Sequence, residues 1–526
     1  MKKALLYDTT LRDGMQGENI FFSPEDKIKI AKKIDDIGIH YIEGGWPGSN
    51  PGAEQFFELA KDIEFKNAKI TAFGSTRHPD KQVEDDANLK ALIKSQAPAV
   101  TIFGKSWDLH VEKIMNNTKD NNLAMITQSI EYILKHDREV LYDAEHFYDG
   151  YQDNPEYALQ TLDAAIKGGS RTIVLCDTNG GTLPSKISEI TRIVTEHFKI
   201  SQPETIILGI HTHNDCAMAV ANSVAAVEQG ALMVQGTING YGERCGNTDL
   251  TSIIPILSKK LGINCMSDRN LKNLLSLSRF VSEAANIPPL GNRPFVGKSA
   301  FAHKGGIHVS AVNKVSRAYE HMDPEAVGNK RRILVSEQSG RSNIEYKAKE
   351  LGVDLKNDRQ NGINIVSNIK ELENYGYEFD IADGSLKLLM EKLTGQFKPN
   401  FELESFRVSV EKDMERPCYS HAMIKVKVGD KSEITSAEGE GPVSALDNAL
   451  RKALSTVYPE LNNMRLVDFK VRVIDGIDGT KARVRVLIES RDENTVFTTV
   501  GVSEDIIEAS WQALADSFQY KLSLNS

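Results

Sequence analysis

Eight short apolar segments rich in β-forming residues recur at near-regular intervals in the first half of the chain, and this repeat constrains the fold more than any other feature. Segments with helical periodicity lie between them, so strands and helices alternate. Eight strands, each followed by a helix, predict a closed parallel (β/α)8 TIM barrel, which typically needs about 250 residues. A doubly wound open sheet is the alternative. The predicted strands are Ala4–Tyr7, Tyr41–Glu43, Lys69–Phe73, Ala99–Phe103, Glu139–Asp143, Thr172–Cys176, Ile206–His211 and Met233–Thr237.

The alternation ends near residue 265, and two further regions are predicted after the barrel at residues 1–265. Residues 266–398 have a mostly helical, irregular pattern typical of linker subdomains. Residues 399–526 contain alternating strands and two amphipathic helices, which predict an α/β domain of two βββα units in tandem. The predicted elements run from a first strand at Glu404–Val410 to a last helix at Glu504–Tyr520. Such a domain often binds a small effector, although a purely dimerising platform is the simpler alternative.

Charge and cysteine content exclude several classes of protein. The net charge of −10 argues against a nucleic-acid partner, because phosphate binding needs a basic surface. The number of cysteines, five, is odd, and no two of them form a CxxC pair, as expected for reduced thiols in the cytoplasm. No segment approaches the roughly 18 apolar residues of a membrane span, and the N-terminus lacks a signal peptide. We therefore expect a cytoplasmic protein with no membrane partner.

Two histidines at the end of the seventh predicted strand give the strongest local signal. Residues i and i+2 of a strand point to the same side, so the side chains of His211 and His213 leave the barrel together. Paired imidazoles suit a divalent metal, although an HxH pair alone is weak evidence. Asn214 and Asp215 follow and could orient the rings.

Acidic and glycine-rich loops after other strands complete the predicted site, because the active site of a TIM barrel lies at the C-terminal ends of its strands. Asp13 follows the first strand beside Arg12, and the first strand of a closed barrel lies near the seventh and eighth. The segment Gly240–Asn247 follows the eighth strand and ends in an amide, Asn247, that could reach the metal. Glu43 and Glu145 lie at two more strand ends. This nitrogen and oxygen donor set suits Zn, Mn, Mg or Co.

The ordered set of motifs resembles the DRE-TIM metallolyases of the 2-isopropylmalate synthase group and is most similar to the citramalate synthases. The resemblance covers nearly the whole chain. Its motifs are DTTLRDGMQG, IEGGWPGSNP, HTHND and NGYGERCGN in the barrel, AHKGGIHVSAV in the linker, and GEGPVSALDNALRKAL and TTVGVSEDIIEASWQAL at the C-terminus.

The resemblance implies a Claisen-type acyltransferase that joins acetyl-CoA to pyruvate, giving citramalate for isoleucine biosynthesis. The implied metal ligands are Asp13, His211, His213 and, more weakly, Asn247. Arg12 would bind the substrate and stabilise the developing negative charge, with Glu43 holding its loop. Thr178 would bind the carboxylate of the oxo acid, and Glu145 matches the active-site glutamate.

Two regions outside the barrel also have implied roles. His308 and Tyr319, in the linker, match residues that reach the barrel mouth of a neighbouring subunit and assist proton transfer. The C-terminal domain, with Gly439, Gly441 and Pro442 in its glycine motif, matches an amino-acid-binding regulatory domain. The resemblance thus implies a homodimer with isoleucine as its effector.

Four other functions fit parts of the pattern. 2-Isopropylmalate synthase, which uses 2-oxoisovalerate in leucine biosynthesis and would respond to leucine, and homocitrate synthase would share every residue named above. A carbon–carbon lyase would not need the C-terminal domain. A non-enzymatic metal-binding regulator would not need the intact acid, arginine and histidine positions. Pyruvate is preferred only because Trp46–Asn50 and Phe103–Trp107 resemble the citramalate branch.

Overall fold

Eight parallel strands close into a barrel in the computed structural model, which describes residues 3–201, 206–355, 359–412, 414, 417–474 and 482–524. The barrel closes where β1 pairs in parallel with β8, so the predicted (β/α)8 fold is confirmed and an open sheet is excluded. The strands are β1 (Leu5–Asp8), β2 (Tyr41–Gly45), β3 (Lys69–Ser75), β4 (Ala99–Lys105), β5 (Glu139–Glu145), β6 (Thr172–Asp177), β7 (Ile207–Thr212) and β8 (Met233–Gly236).

Helices surround the barrel, and the first shows why they form where they do. Ser23 caps it by accepting a hydrogen bond from the Asp26 backbone N–H, and Pro24 takes the first helical position. Its buried stripe, which includes Ile30 and Ile34, packs into the apolar core of the barrel unit. The helices are α1 (Pro24–Asp36), α2 (Pro51–Ala60), α3 (Ala87–Lys94), α4 (Lys119–Leu134), α5 (Phe147–Asp153), α6 (Pro155–Lys167), α7 (Pro184–Ser201), α8 (Ala219–Glu228), α9 (Leu250–Pro255), α10 (Asp268–Leu271) and α11 (Leu274–Ala284).

Three neighbouring strands extend two residues further than the sequence predicted. Strands β3, β4 and β5 end at Ser75, Lys105 and Glu145. Their last residues have low β propensity, but the ladder continues, and Lys105 pairs in register with Glu145. Because side chains alternate along a strand, the extension places Glu145 on the same side of β5 as Asp143.

The chain divides into two compact units, Met1–Phe301 with Met322–Lys330, and Ala302–His321 with Arg331–Ser526. The three-part division at residues 265 and 398 stays a prediction. The second unit begins with the expected helical region, α12 (Gly306–Lys314), α13 (Arg341–Leu351), α14 (Arg359–Tyr375) and α15 (Asp383–Thr394). It also contains two parallel two-residue strands, β9 (Ala302–His303) and β10 (Arg332–Ile333), which are too short to leave a periodic pattern.

Two βββα units follow, as predicted. Each forms an antiparallel three-stranded sheet in sequential order. The third strand of the first unit is longer than the short run at Glu433–Ser436 that the sequence indicates, because it pairs with its neighbour over nine residue pairs. The elements are β11 (Glu402–Glu411), β12 (Tyr419–Val428), β13 (Lys431–Gly439) and α16 (Pro442–Leu454), then β14 (Arg465–Val473), β15 (Val484–Arg491), β16 (Val496–Ser503) and α17 (Ile506–Ser523).

Separate apolar cores support the two units. Inside the barrel, Tyr7, Tyr41, Leu141, Val174 and Met233 belong to one buried cluster, while a larger cluster lies between the strands and their helices. In the second unit, α16 and α17 share a core with the two sheets. None of the helices in the described residues is long and apolar enough to cross a membrane.

Candidate metal and substrate site

Three predicted metal ligands meet at the C-terminal mouth of the barrel. Asp13 lies in the turn after β1, His211 is in β7, and His213 follows β7 directly. One ligand atom from each lies within 4.8 Å of the other two, and all three residues are buried. The structure therefore brings the acid of the first loop to the paired imidazoles, as a single divalent cation would require.

The electrostatics of Asp13 and His213 favour cation binding. Burial alone would raise the pKa of Asp13, but the Arg12 charge and His211 hold that pKa far below its ordinary value. Burial, followed by the neighbouring His211, lowers the pKa of His213 to about 3. A carboxylate and a neutral imidazole are the forms that bind metal, since protonation removes the negative charge of the acid and the free lone pair of the ring nitrogen.

Asn247 lies beside the three ligands, and its unpaired polar atoms bear on whether a cation fits there. Its backbone forms an antiparallel bridge with His213, and its side chain is buried. Both side-chain amide atoms of Asn247, and Nδ1 of His213, have no hydrogen-bond partner among the described residues. Buried polar atoms are normally satisfied, so unpaired donor atoms at one place fit a site built for a ligand such as a divalent metal ion.

Arg12 is fixed from three directions. Its Nε donates to Glu43 Oε1 at 2.6 Å, and its guanidinium carbon lies 3.8 Å from the centre of the Phe73 ring. The other carboxylate oxygen, Glu43 Oε2, accepts a hydrogen bond from the Tyr7 hydroxyl at 2.7 Å. Nη1 of Arg12 also lies 3.5 Å from Oδ1 of Asp13, with which it forms an ion pair. A guanidinium held in this way keeps its position without needing to reorganise when a negative charge develops nearby.

A cavity of about 230 Å³ opens above the metal ligands. Glu145 and Thr178 line it, together with Arg12. Glu145 forms an ion pair with Lys105, its register partner on β4. Thr178 Oγ1 accepts a hydrogen bond from the His146 backbone N–H at 2.9 Å, so its own hydroxyl hydrogen is available to another acceptor.

Three aromatic side chains form one wall of this cavity. Phe73 and Phe103 stack with their ring centroids 5.4 Å apart, and Trp46 meets both rings edge-on. The indole N–H of Trp46 donates to Asn88 Oδ1 at 2.7 Å, and Asn88 in turn donates to the Ser75 carbonyl. These contacts fix the wall, which comes from the ends of β2, β3 and β4.

Sequence reasoning missed several polar residues at the site. Asp143 lines the cavity, and burial raises its pKa to about 7. Arg244 forms a two-pronged ion pair with Asp215 and donates to the Thr178 carbonyl, joining the loops after β6, β7 and β8. Asp143 could have been found because it shares its strand face with Glu145. The Arg244 contacts had no local signal.

The remaining predicted residues lie in the second unit. His308, in α12, and Tyr319 stack with their ring centroids 4.1 Å apart. Their part in proton transfer stays a prediction. Gly439 ends β13, Gly441 precedes α16 and Pro442 is the first residue of that helix. A side chain on Gly439 would lie 2.4 Å from the Ala445 backbone nitrogen, which explains glycine at that position.

Comparisons with known families divide the chain into three matching regions. Residues 3–281 match the HMGL-like family, and residues 295–376 match the homocitrate synthase post-HMGL domain-like family. Residues 380–522 match the LeuA allosteric (dimerisation) domain. The matched regions follow the order of the barrel, the helical region and the βββα units.

Individual relatives are similar over almost their full length. The (R)-citramalate synthase of Aquifex aeolicus (strain VF5) is 53% identical over 523 residues, covering 99% of this chain and 98% of the relative. That of Geobacter sulfurreducens has the same identity and coverage. The 2-isopropylmalate synthase of Methanocaldococcus jannaschii is 30% identical over 519 residues, covering 98% of this chain and 94% of the relative.

Proposed function

Since this chain belongs to the HMGL-like family and, within it, is an enzyme of the (R)-citramalate synthase type, we propose that it condenses acetyl-CoA with pyruvate to give citramalate and free CoA. The observation that carries this function is the identity of 53% over nearly the whole chain to two (R)-citramalate synthases. The grouping of Asp13, His211 and His213 at the barrel mouth supports the same chemistry.

We propose that Asp13, His211 and His213 hold a divalent metal ion, with Asn247 as a weaker ligand. The ligand set accepts Zn, Mn, Mg or Co, because all four bind nitrogen and oxygen donors. When bound, such an ion acts as a Lewis acid that makes the ketone carbon of the oxo acid more electrophilic. All four of these residues belong to the first unit.

The residues of the chain perform the other steps. Thr178 donates to the carboxylate of pyruvate and orients it. Glu145, assisted by His308 and Tyr319 of a neighbouring subunit, takes a proton from the acetyl methyl group, and the resulting carbanion forms a carbon–carbon bond with the ketone carbon. Arg12 stabilises the alkoxide oxygen that results. Water then hydrolyses the thioester, which releases CoA.

The direct test is thiol release from acetyl-CoA with a panel of 2-oxo acids, with and without a chelator. We expect release with pyruvate, loss of release with the chelator, and recovery when a divalent metal is added back. Preference for 2-oxoisovalerate over pyruvate would overturn the substrate assignment. Thiol release that needs no oxo acid would overturn the condensation itself.

Phe103→Ala is expected to relax the choice of oxo acid. The aromatic wall of Trp46, Phe73 and Phe103 limits the space beside the ligand cluster, which favours the methyl group of pyruvate over a branched side chain. Each methylene that a pocket admits or refuses changes discrimination by roughly 10–200-fold. The ratio of kcat/KM for 2-oxoisovalerate to that for pyruvate should therefore rise by about tenfold or more.

Phe21→Ala is the matched control, because Phe21 is 75% exposed and does not line the cavity. It should leave the ratio unchanged. If Phe103→Ala lowers both kcat/KM values equally, the wall does not select the substrate.

We propose that the C-terminal domain binds isoleucine and joins two subunits. The support is its match to an allosteric (dimerisation) domain. Inhibition by isoleucine is expected if the product feeds isoleucine biosynthesis, whereas inhibition by leucine would favour the alternative pathway. Light scattering should give twice the mass of the 58.3 kDa chain.

Gly441→Asp is expected to weaken isoleucine inhibition by about tenfold or more, a difference of roughly 1.4 kcal/mol in binding. Gly441 immediately precedes α16 with extended backbone, and a side chain there would meet no atom within 4 Å. Aspartate is favoured at the N-terminal cap of a helix, so the fold should tolerate it. Its carboxylate would repel the carboxylate of an amino acid bound at the glycine motif.

Gly429→Asp is a charge-matched control in the turn at the opposite end of the β12–β13 hairpin, where aspartate tolerates the positive φ of 60°. Uninhibited turnover should be unchanged in both variants. Inhibition of Gly441→Asp at the original isoleucine concentration would refute the placement of the effector.

A further inference from the structure

Gln235 is a fully buried amide in β8 with no role in the chemistry described above. It is 0% exposed and lies between Val234 and Gly236 in the short strand Met233–Gly236. A buried amide costs free energy unless its polar atoms are paired. The amide oxygen and the amide nitrogen of Gln235 should therefore each have a hydrogen-bond partner.

Both ends of the Gln235 amide are paired, and they join two distant parts of the site. Its Oε1 lies 2.9 Å from Nδ1 of His211, on the neighbouring strand β7. Its Nε2 donates to Asp143 Oδ1 at 3.0 Å, on β5. Since β5 and β8 are not neighbours in the barrel, the amide spans the barrel interior rather than following a strand ladder.

Asp143 determines which way the amide points. In the structure the NH₂ group of Gln235 faces Asp143 and its oxygen faces His211. An Asp143 carboxylate that is deprotonated above its raised pKa of about 7 only accepts hydrogen bonds, so it holds the amide in this direction. The oxygen accepts, so Nδ1 of His211 must carry the hydrogen. The lone pair of the ring is then on Nε2, which lies 3.3 Å from Asp13 Oδ2 in the ligand cluster.

We propose that Gln235 is a positioning residue of the metal site, which holds His211 in the tautomer and orientation that bind a cation, with Asp143 fixing the direction of the amide. The inference rests on the proposed metal site and names a further residue that the site needs. Groups that orient a ligating histidine typically change metal affinity by roughly 10–100-fold when they are removed.

The first experiment measures Mn²⁺ binding to the full-length chain without substrates, at pH 8, from the electron paramagnetic resonance signal of the unbound ion. Gln235→Met keeps the length of the side chain and removes both hydrogen bonds. We expect its Kd for Mn²⁺ to rise roughly 10–100-fold. Thermal unfolding without metal reports separately whether the barrel is intact.

The second experiment exchanges the two polar groups. In Gln235→Glu, two carboxylates face each other, so the affinity for Mn²⁺ should fall. Adding Asp143→Asn supplies an N–H donor to the new glutamate, which can still accept from His211, and restores the net charge and nearly the volume of the pair. The double variant should regain at least tenfold of the lost affinity. A residue that only fills space would show no such recovery.

The outcomes separate this inference from the proposed function. Mn²⁺ binding to Gln235→Met within twofold of the parent would overturn the positioning role while leaving the metal site standing. Failure of Asp143→Asn to restore binding in the Gln235→Glu chain would do the same. A parent chain that binds no Mn²⁺ would overturn the metal site and the positioning role together.

Discussion

His211→Ala is expected to lower citramalate formation by roughly 10³-fold or more, because a Lewis acid contributes several kcal/mol to the stability of the transition state. His211 is one of three ligands within 4.8 Å of one another, and its loss leaves Asp13 and His213 as the remaining strong ligands. The measurement is thiol release at saturating pyruvate and acetyl-CoA across a range of added divalent metal.

Two further measurements make this prediction specific. Mn²⁺ affinity should fall in parallel with turnover, while the far-UV circular dichroism spectrum stays that of the parent. His136→Ala is the control, since His136 lies beyond the end of α4, where its ring nitrogen hydrogen-bonds the Tyr132 carbonyl. Turnover in His211→Ala within tenfold of the parent, after treatment with a chelator, would remove His211 from the ligand set.

Arg12→Gln is expected to lower kcat by roughly 10²–10³-fold, the usual loss when one preorganised donor to a developing oxyanion is removed. The guanidinium is fixed by Glu43 and by the face of the Phe73 ring, so a neutral amide could not reproduce both its charge and its position. Stabilisation limited to the transition state should lower kcat and kcat/KM by similar factors. Single-turnover kinetics would separate the chemical step from product release.

A graded series tests the arginine further. Glu43→Gln keeps one acceptor oxygen, which can serve Arg12 while the new NH₂ group faces the Tyr7 hydroxyl oxygen, and it removes the charge. Its loss of kcat should therefore be smaller than that of Arg12→Gln. Arg192→Gln is the matched control, because Arg192 pairs with Glu196 on the exposed surface of α7. If Arg12→Gln changes KM alone, Arg12 binds the substrate without stabilising the transition state.

Sequence reasoning reached those features that have a local period. Strands recurring between helices predicted the closed barrel, and the two-residue period of a strand placed His211 and His213 on the same side. The position of Asp13 after the first strand then followed from barrel closure, because β1 pairs with β8 beside β7. Each of these inferences needed only neighbouring residues and the rule that barrel sites lie at C-terminal strand ends.

The remainder of the site depends on contacts between residues far apart in sequence. Gln235 and Asp143 are 92 residues apart, and their hydrogen bond crosses the barrel interior. The only sequence signal was a polar residue within a short apolar strand, which does not name its partner. The size of the substrate cavity was equally hidden, because Trp46, Phe73 and Phe103 come from three strands and enclose space only after folding.

The aromatic wall and the cation ligands come from different strands at the barrel mouth, since the wall follows β2, β3 and β4 while the ligands come from β1, β7 and the loop after β8. The residues proposed to choose the oxo acid and those proposed to bind the cation therefore lie in separate stretches of the sequence. Related enzymes could change their preferred oxo acid by substituting a few aromatic side chains while keeping the same metal ligands.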